Sequence, residues 1–125
     1  MRLFVYGSLI SGHHNNHRLD GARRLGATVV DGFQMIDLGG IPGVFHSHGD
    51  IQGEVYEINE DILFNLDRLE GYIESDHASS TYVREEIVLP KFGKCWIYVW
   101  NGNSNDGPQV AGGSWRTKRA LMDLV

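Results

Sequence analysis

Two short stretches carry the side chains whose types could do chemistry. Tyr6-Gly7-Ser8-Leu9 ends an apolar run (Phe4 and Val5 lead into it) on a small, polar corner. A turn needs only the glycine, whereas a binding site can use the glycine, the Ser8 hydroxyl and the bare backbone N–H groups together. Glu70 is the second. It closes a helical pattern, where a carboxylate faces the helix's terminal carbonyls and is disfavoured by a few tenths to ~1 kcal/mol. Leu69, Tyr72 and Ile73 add apolar bulk around it. Both effects penalise the charged form and raise the pKa, and a carboxyl that titrates near neutral pH is suited to general acid–base work. The plainer readings are a strand-to-loop turn in which Ser8 satisfies its own backbone, and a surface glutamate near a helix end.

Strands and one helix must position these groups. Residues 2–6 (RLFVY) are short, apolar and β-prone, a buried strand. Residues 8–20 are polar, with a short helix around HHNNHRL. Residues 25–38 are strand-like, with Gly32 as a bulge or bend, and residues 39–45 (GGIPGVF) are a Gly/Pro loop that feeds an apolar segment. Residues 51–58 (IQGEVYEI) alternate as a half-buried strand should. The clearest helix begins at Asn59 as N-cap with Glu60 and Asp61 in its first turn. Ile62, Leu63, Leu66 and Leu69 share one face, and Gly71 is the C′ residue. Residues 81–89 and 94–100 form a hairpin, residues 101–113 a loop, and residues 115–125 a last amphipathic segment. This order predicts an α+β domain with a mainly antiparallel sheet that can curl into a barrel.

Bulk properties narrow the classes. The 125 residues, 42% hydrophobic and 22% charged, predict a single domain over residues 1–125. Sixteen glycines against three prolines imply many tight corners. The formal charge of −5, with the basic residues scattered, argues against nucleic acid and anionic membrane as partners. Cys95 is the one cysteine, so no intrachain disulfide forms. The first apolar run is neither signal peptide nor membrane span, which predicts a soluble cytoplasmic protein.

Read as an ordered set, Tyr6-Gly7-Ser8-Leu9, Gly53-Glu54-Val55-Tyr56, Leu66-Asp67-Arg68-Leu69-Glu70-Gly71-Tyr72, Tyr82-Val83-Arg84 and Gly113-Ser114-Trp115-Arg116 resemble the gamma-glutamylcyclotransferase-like family, especially its AIG2-like and gamma-glutamylamine cyclotransferase branch. The resemblance implies a small mixed, mainly antiparallel β-barrel flanked by a few helices. It implies that the Tyr6, Gly7, Ser8 and Leu9 corner holds the glutamyl part of a small-molecule γ-glutamyl substrate, with Tyr6 walling the cavity and offering its hydroxyl. Gly7 would let the backbone approach that ligand without a Cβ in the way. Glu70 would be the catalytic acid/base, and Tyr82 would border the same cavity. The implied reaction releases 5-oxoproline by attack of the substrate's own α-amino group, and needs no cofactor and no metal. The residue 39–43 loop, the histidines near residue 14 and the residue 101–113 loop depart from the family pattern and bear on the leaving group.

Three other readings stand beside this one. The same fold could bind a small ligand without turnover, as a regulatory domain. Ser8 could be a nucleophile, although Gly7-Ser8-Leu9-Ile10 is not the G-x-S-x-G elbow. His13 with His17, or His46 with His48, could bind zinc, although no cysteine lies near and the setting reads as exposed, incidental histidines.

Overall fold

The computed structural model describes residues 1–115. Its elements in chain order are β1 (Arg2–Val5), a 3-10 turn (Asn16–Leu19), β2 (Arg23–Asp37), β3 (Pro42–Glu57), α1 (Glu60–Glu70), a 3-10 turn (His77–Ser79), β4 (Tyr82–Leu89), β5 (Gly93–Trp100) and a 3-10 turn (Ala111–Gly113). Of the expected C-terminal amphipathic segment only Trp115 is described, buried in the core; the rest, Arg116 included, lies outside the described residues.

The five strands form one sheet in the order β2-β3-β1-β5-β4. Only the β1–β5 pair is parallel; the rest are antiparallel. The fold is thus α+β with a mixed, mainly antiparallel sheet. The expected barrel is corrected: among the described residues the ladder leaves β2 and β4 as edges, so the sheet curls without closing. Curling follows from β2, whose register shifts between Asp31 and Phe33. Gly32 sits there at φ 85, a conformation open to glycine at no steric cost, and the bulge bends the strand. The Gly/Pro loop is shorter than its composition suggests, since β3 already begins at Pro42.

Each face of the curled sheet buries a core. Inside the curl lie Phe4, Met35, Val44, Ile51, Val55, Cys95 and Ile97. The outer face packs Leu3, Val5 and Tyr56 against Leu9, Ile10 and Leu19 of the corner and Ile62, Leu63 and Leu66 of α1. Alternation along β1 and β3 sorts residues between these faces. α1 is capped as its sequence predicts, with Asn59 Oδ1 accepting from the Ile62 N–H at 2.9 Å. Leu69 breaks the expected apolar stripe, remaining 38% exposed at the helix end.

Candidate active site

β1 ends at Val5, and the chain turns through the corner. The Ile10 and Asn15 N–H groups bond the Gly7 and Ser8 carbonyls at 3.1 and 3.0 Å. α1 ends opposite. Gly71, at φ 66, lets the Tyr72 N–H return to the Asp67 carbonyl at 2.9 Å, and Thr81 N–H bonds the Gly71 carbonyl at 3.0 Å. This last bond brings the start of β4, and hence Tyr82, beside Glu70. Between the two ends lies a cavity of about 260 Å³, lined among others by Tyr6, Gly7, Ser8, Leu9, Glu70 and Tyr82. All six residues singled out in the sequence line one hollow. Its size suits an amino-acid-sized group, below the ~300–1,000 Å³ of drug-sized sites.

Burial pushes the half-buried Glu70 carboxyl up from 4.5 to about 7, against the opposing pull of Arg18. The helix end is a lesser cause than its sequence position implies, because the returning N–H groups of Gly71 and Tyr72 occupy carbonyls that would otherwise repel the carboxylate. The cation in play is Arg18, from the turn after the corner. Among the described residues nothing hydrogen-bonds the Glu70 carboxyl.

The three phenols around it are already engaged. Tyr6 donates to the Tyr98 carbonyl at 2.6 Å, Tyr82 to the Pro42 carbonyl at 2.6 Å, and Tyr98 to Asp67 Oδ1 at 2.7 Å. Burial raises the pKa of all three, so they stay neutral walls. The first of these bonds occupies the proton that Tyr6 was expected to offer to a ligand. Gly7 has a packing role besides its place in the lining. A Cβ there would stand 2.6 Å from Pro42 Cγ, so the glycine is needed for the corner to pack against the start of β3. The corner does keep free donors. Among the described residues the Ser8 and Leu9 N–H groups bond no backbone carbonyl, and Ser8 Oγ accepts from Asn15 Nδ2 at 2.9 Å, which leaves its own proton available.

Sequence reasoning named several of the groups that hold this arrangement only as parts of the family pattern and gave them no role. Glu54, 4% exposed, accepts from Ser11 N–H at 2.7 Å and Ser11 Oγ at 2.6 Å, from Arg24 at 3.1 Å and from Tyr56 at 3.2 Å. The far end of the corner is thereby pinned to β3. Strand alternation puts Glu54 on the Tyr56 face, and a lone acid there among buried residues was the available signal. Gly53 beside it is required because a Cβ would run into the Val5 carbonyl and the Phe4 ring. Beneath the helix end, Arg84 lies 3.1 Å from Asp67 and stacks over Trp96 and Tyr72, 4.3 and 5.1 Å from their ring centroids. Asn15, Ile41, Pro42 and Tyr98 also belong to the lining. They come from turns and a second strand end, which no local pattern connects.

The histidines do not gather. His13 is buried, contrary to the expected exposure, and His17 is exposed. His46 Nε2 lies 2.7 Å from Glu85. Among the described residues no group of three or more His, Cys, Asp or Glu could hold a metal ion. Cys95 is buried and unpaired, and no described helix is long and apolar enough to cross a membrane.

Among the described residues, a curled, mixed five-stranded sheet with one flanking α-helix, and a cavity between strand corner and helix end, define a small α+β domain. Residues 3–117 match the family described as gamma-glutamyl cyclotransferase, AIG2-like, and the chain belongs to that family. It is 34% identical over 115 residues to the gamma-glutamylcyclotransferase family protein YtfP of Escherichia coli K12, covering 92% of this chain and 96% of that one. It is 31% identical over 103 residues to the gamma-L-glutamyl-butirosin B gamma-glutamyl cyclotransferase of Niallia circulans, covering 79% and 66% of the two chains. Its fold superposes on the crystal structure of PH0828 from Pyrococcus horikoshii with a TM-score of 0.82 at 25% identity, over 99% and 97% of the chains.

Proposed function

We propose that the protein is a cyclotransferase that releases 5-oxoproline from a γ-glutamyl amino acid or γ-glutamylamine, with Glu70 as its acid/base. The α-amino nitrogen of the glutamyl unit attacks the γ-carbonyl carbon. A C–N bond closes the five-membered lactam, the original amide C–N bond breaks, and the proton lost by the attacking amine ends on the departing nitrogen. Nucleophile and electrophile belong to the same molecule, so the balance needs no water, cofactor or protein nucleophile. A cavity that holds the glutamyl chain curled would draw on effective molarity, worth up to ~7–11 kcal/mol in favourable cases.

The observation that carries this reading is the state of Glu70. An α-amino group near 8 and an ordinary glutamate near 4.3 leave proton transfer uphill by ~5 kcal/mol. At about 7 the deficit falls to ~1.4 kcal/mol, so the carboxylate can take the amine's proton and the acid can return it. The engaged phenols leave Glu70 as the lining side chain able to exchange a proton near neutral pH. The Ser8 and Leu9 N–H groups and the Ser8 hydroxyl are suited to the substrate carboxylate or to the oxyanion on the γ-carbonyl. Tyr6 and Tyr82 wall the cavity, and Gly7 keeps the corner close to Pro42. The name of the Niallia circulans relative supports the reaction class. Incubation with a panel of γ-glutamyl amino acids and γ-glutamylamines, assayed for 5-oxoproline, tests the reading; release unchanged in Glu70→Gln would remove Glu70 from the chemistry.

A further inference from the structure

Past the corner and the helix end, the mouth of the cavity has a composition of its own. Ile41 and Leu69 line it yet remain 52% and 38% exposed. Ile41 is not a loose loop residue. Asp37 Oδ1 accepts from the Gly39 and Gly40 N–H groups at 3.0 and 2.7 Å, and Leu38 N–H bonds the Ile41 carbonyl at 2.8 Å. Gly39 and Gly40, at φ 98 and 104, adopt the left-handed turn that presents the isoleucine. A ligand group that covers these two side chains would gain from the apolar area it buries.

No described residue lining the cavity is basic, but a cation stands beside one of them. The exposed Arg18 donates through Nε to Asn15 Oδ1 at 3.3 Å, and Asn15 lines the cavity and reaches Ser8. On the opposite wall, the Arg18 charge also acts on Glu70. The guanidinium thus touches a residue of one wall and is near enough to the other for its charge to be felt by Glu70. Its two Nη groups bond no described residue.

We infer that Arg18, Ile41 and Leu69 form a leaving-group subsite that selects γ-glutamyl derivatives of apolar α-amino acids over γ-glutamylamines. The inference rests on the cyclotransferase reading above. With the glutamyl unit enclosed, the leaving nitrogen faces Glu70 and its substituents point to the mouth. An amino-acid leaving group carries its carboxylate one carbon from that nitrogen, close enough to Glu70 for like-charge repulsion. Arg18 offsets the repulsion and supplies a fork for the carboxylate. The apolar side chain then covers Ile41 and Leu69. An amine leaving group offers the second contact but not the first.

The test compares kcat/KM for γ-glutamyl-leucine, γ-glutamyl-isopentylamine (the same group without its carboxylate) and γ-glutamyl-glycine. The wild type is expected to prefer the leucine compound to both others. Arg18→Gln is expected to lower the leucine-to-isopentylamine ratio about three- to tenfold, as for a partly exposed charge pair. Ile41→Ser is expected to lower the leucine-to-glycine ratio by about fivefold or more. A wild type that prefers the isopentylamide overturns the inference. Equal losses on leucine and isopentylamine substrates in Arg18→Gln overturn it as well, since they would mean that Arg18 only tunes Glu70 or holds the glutamyl carboxylate; 5-oxoproline formation itself would stand. Absence of 5-oxoproline from all three and from the wider panel ends both the subsite and the cyclotransferase reading.

Discussion

Replacing Glu70 by glutamine should change stability and catalysis in a linked, pH-dependent way. Burial raises the carboxyl from 4.5 to about 7, so between those values the folded state binds a proton that the unfolded state has lost. Folding stability from this group therefore falls as pH rises from about 4.5 to about 7, and the loss then levels off. At ~1.36 kcal/mol per pH unit the full loss is about 3 kcal/mol. Glutamine keeps the shape without titrating. The stability of Glu70→Gln minus that of the wild type should thus grow by roughly 2.5 kcal/mol between pH 5 and 8.5. Urea denaturation of both proteins across that range measures it, and the subtraction cancels the histidines and other carboxyls. The same variant should lose ~10²–10⁴-fold in 5-oxoproline formation, while wild-type kcat/KM should climb with pH through a midpoint near 7. A difference in stability that stays flat with pH would refute the claim that burial holds this proton, and the catalytic argument would fall with it.

Other perturbations follow from the surrounding contacts. Gly7→Ala places a Cβ against the rigid Pro42 ring, so the corner must shift; KM for the γ-glutamyl substrate should rise about tenfold or more, with ~1–3 kcal/mol lost in thermal unfolding. Arg84→Ala leaves Asp67 without the cation 3.1 Å away, and should cost ~3 kcal/mol in urea midpoint analysis, less if water enters. Glu54 is held below its ordinary pKa, since its bonds from Ser11 and Arg24 outweigh the burial that would raise it. Its contribution is present above the unfolded value and is lost as pH falls through the folded one, so Glu54→Gln should weaken the protein at pH 7 and converge on the wild type in acid. Ser11→Ala, which removes the 2.6 Å bond to Glu54, should cost ~1 kcal/mol and raise KM more than it lowers kcat.

Local pattern carried much of the fold. The alternation of residues 51–58, the Asn59 cap, the apolar face through Leu66 and the left-handed Gly71 act over a few residues, and each is visible without knowing the rest of the chain. The bulge at Gly32 was legible for the same reason. Whether a curled sheet closes is not a local property. It depends on β2 and β4 meeting, and the ladder leaves both as edges.

The sequence by itself determined which residues were available for chemistry. A glutamate had to end α1, because the cap, the apolar spacing and Gly71 set that helix, and a glycine-serine corner had to follow β1, because the apolar run stops there. Tertiary structure alone decided what they became. Glu70 is raised by burial beneath β4 and the corner, Arg18 reaches it from another turn, and the phenols of Tyr6, Tyr82 and Tyr98 are engaged by carbonyls and a carboxylate distant in sequence. Propensity and capping act between near neighbours, whereas desolvation and charge act through space.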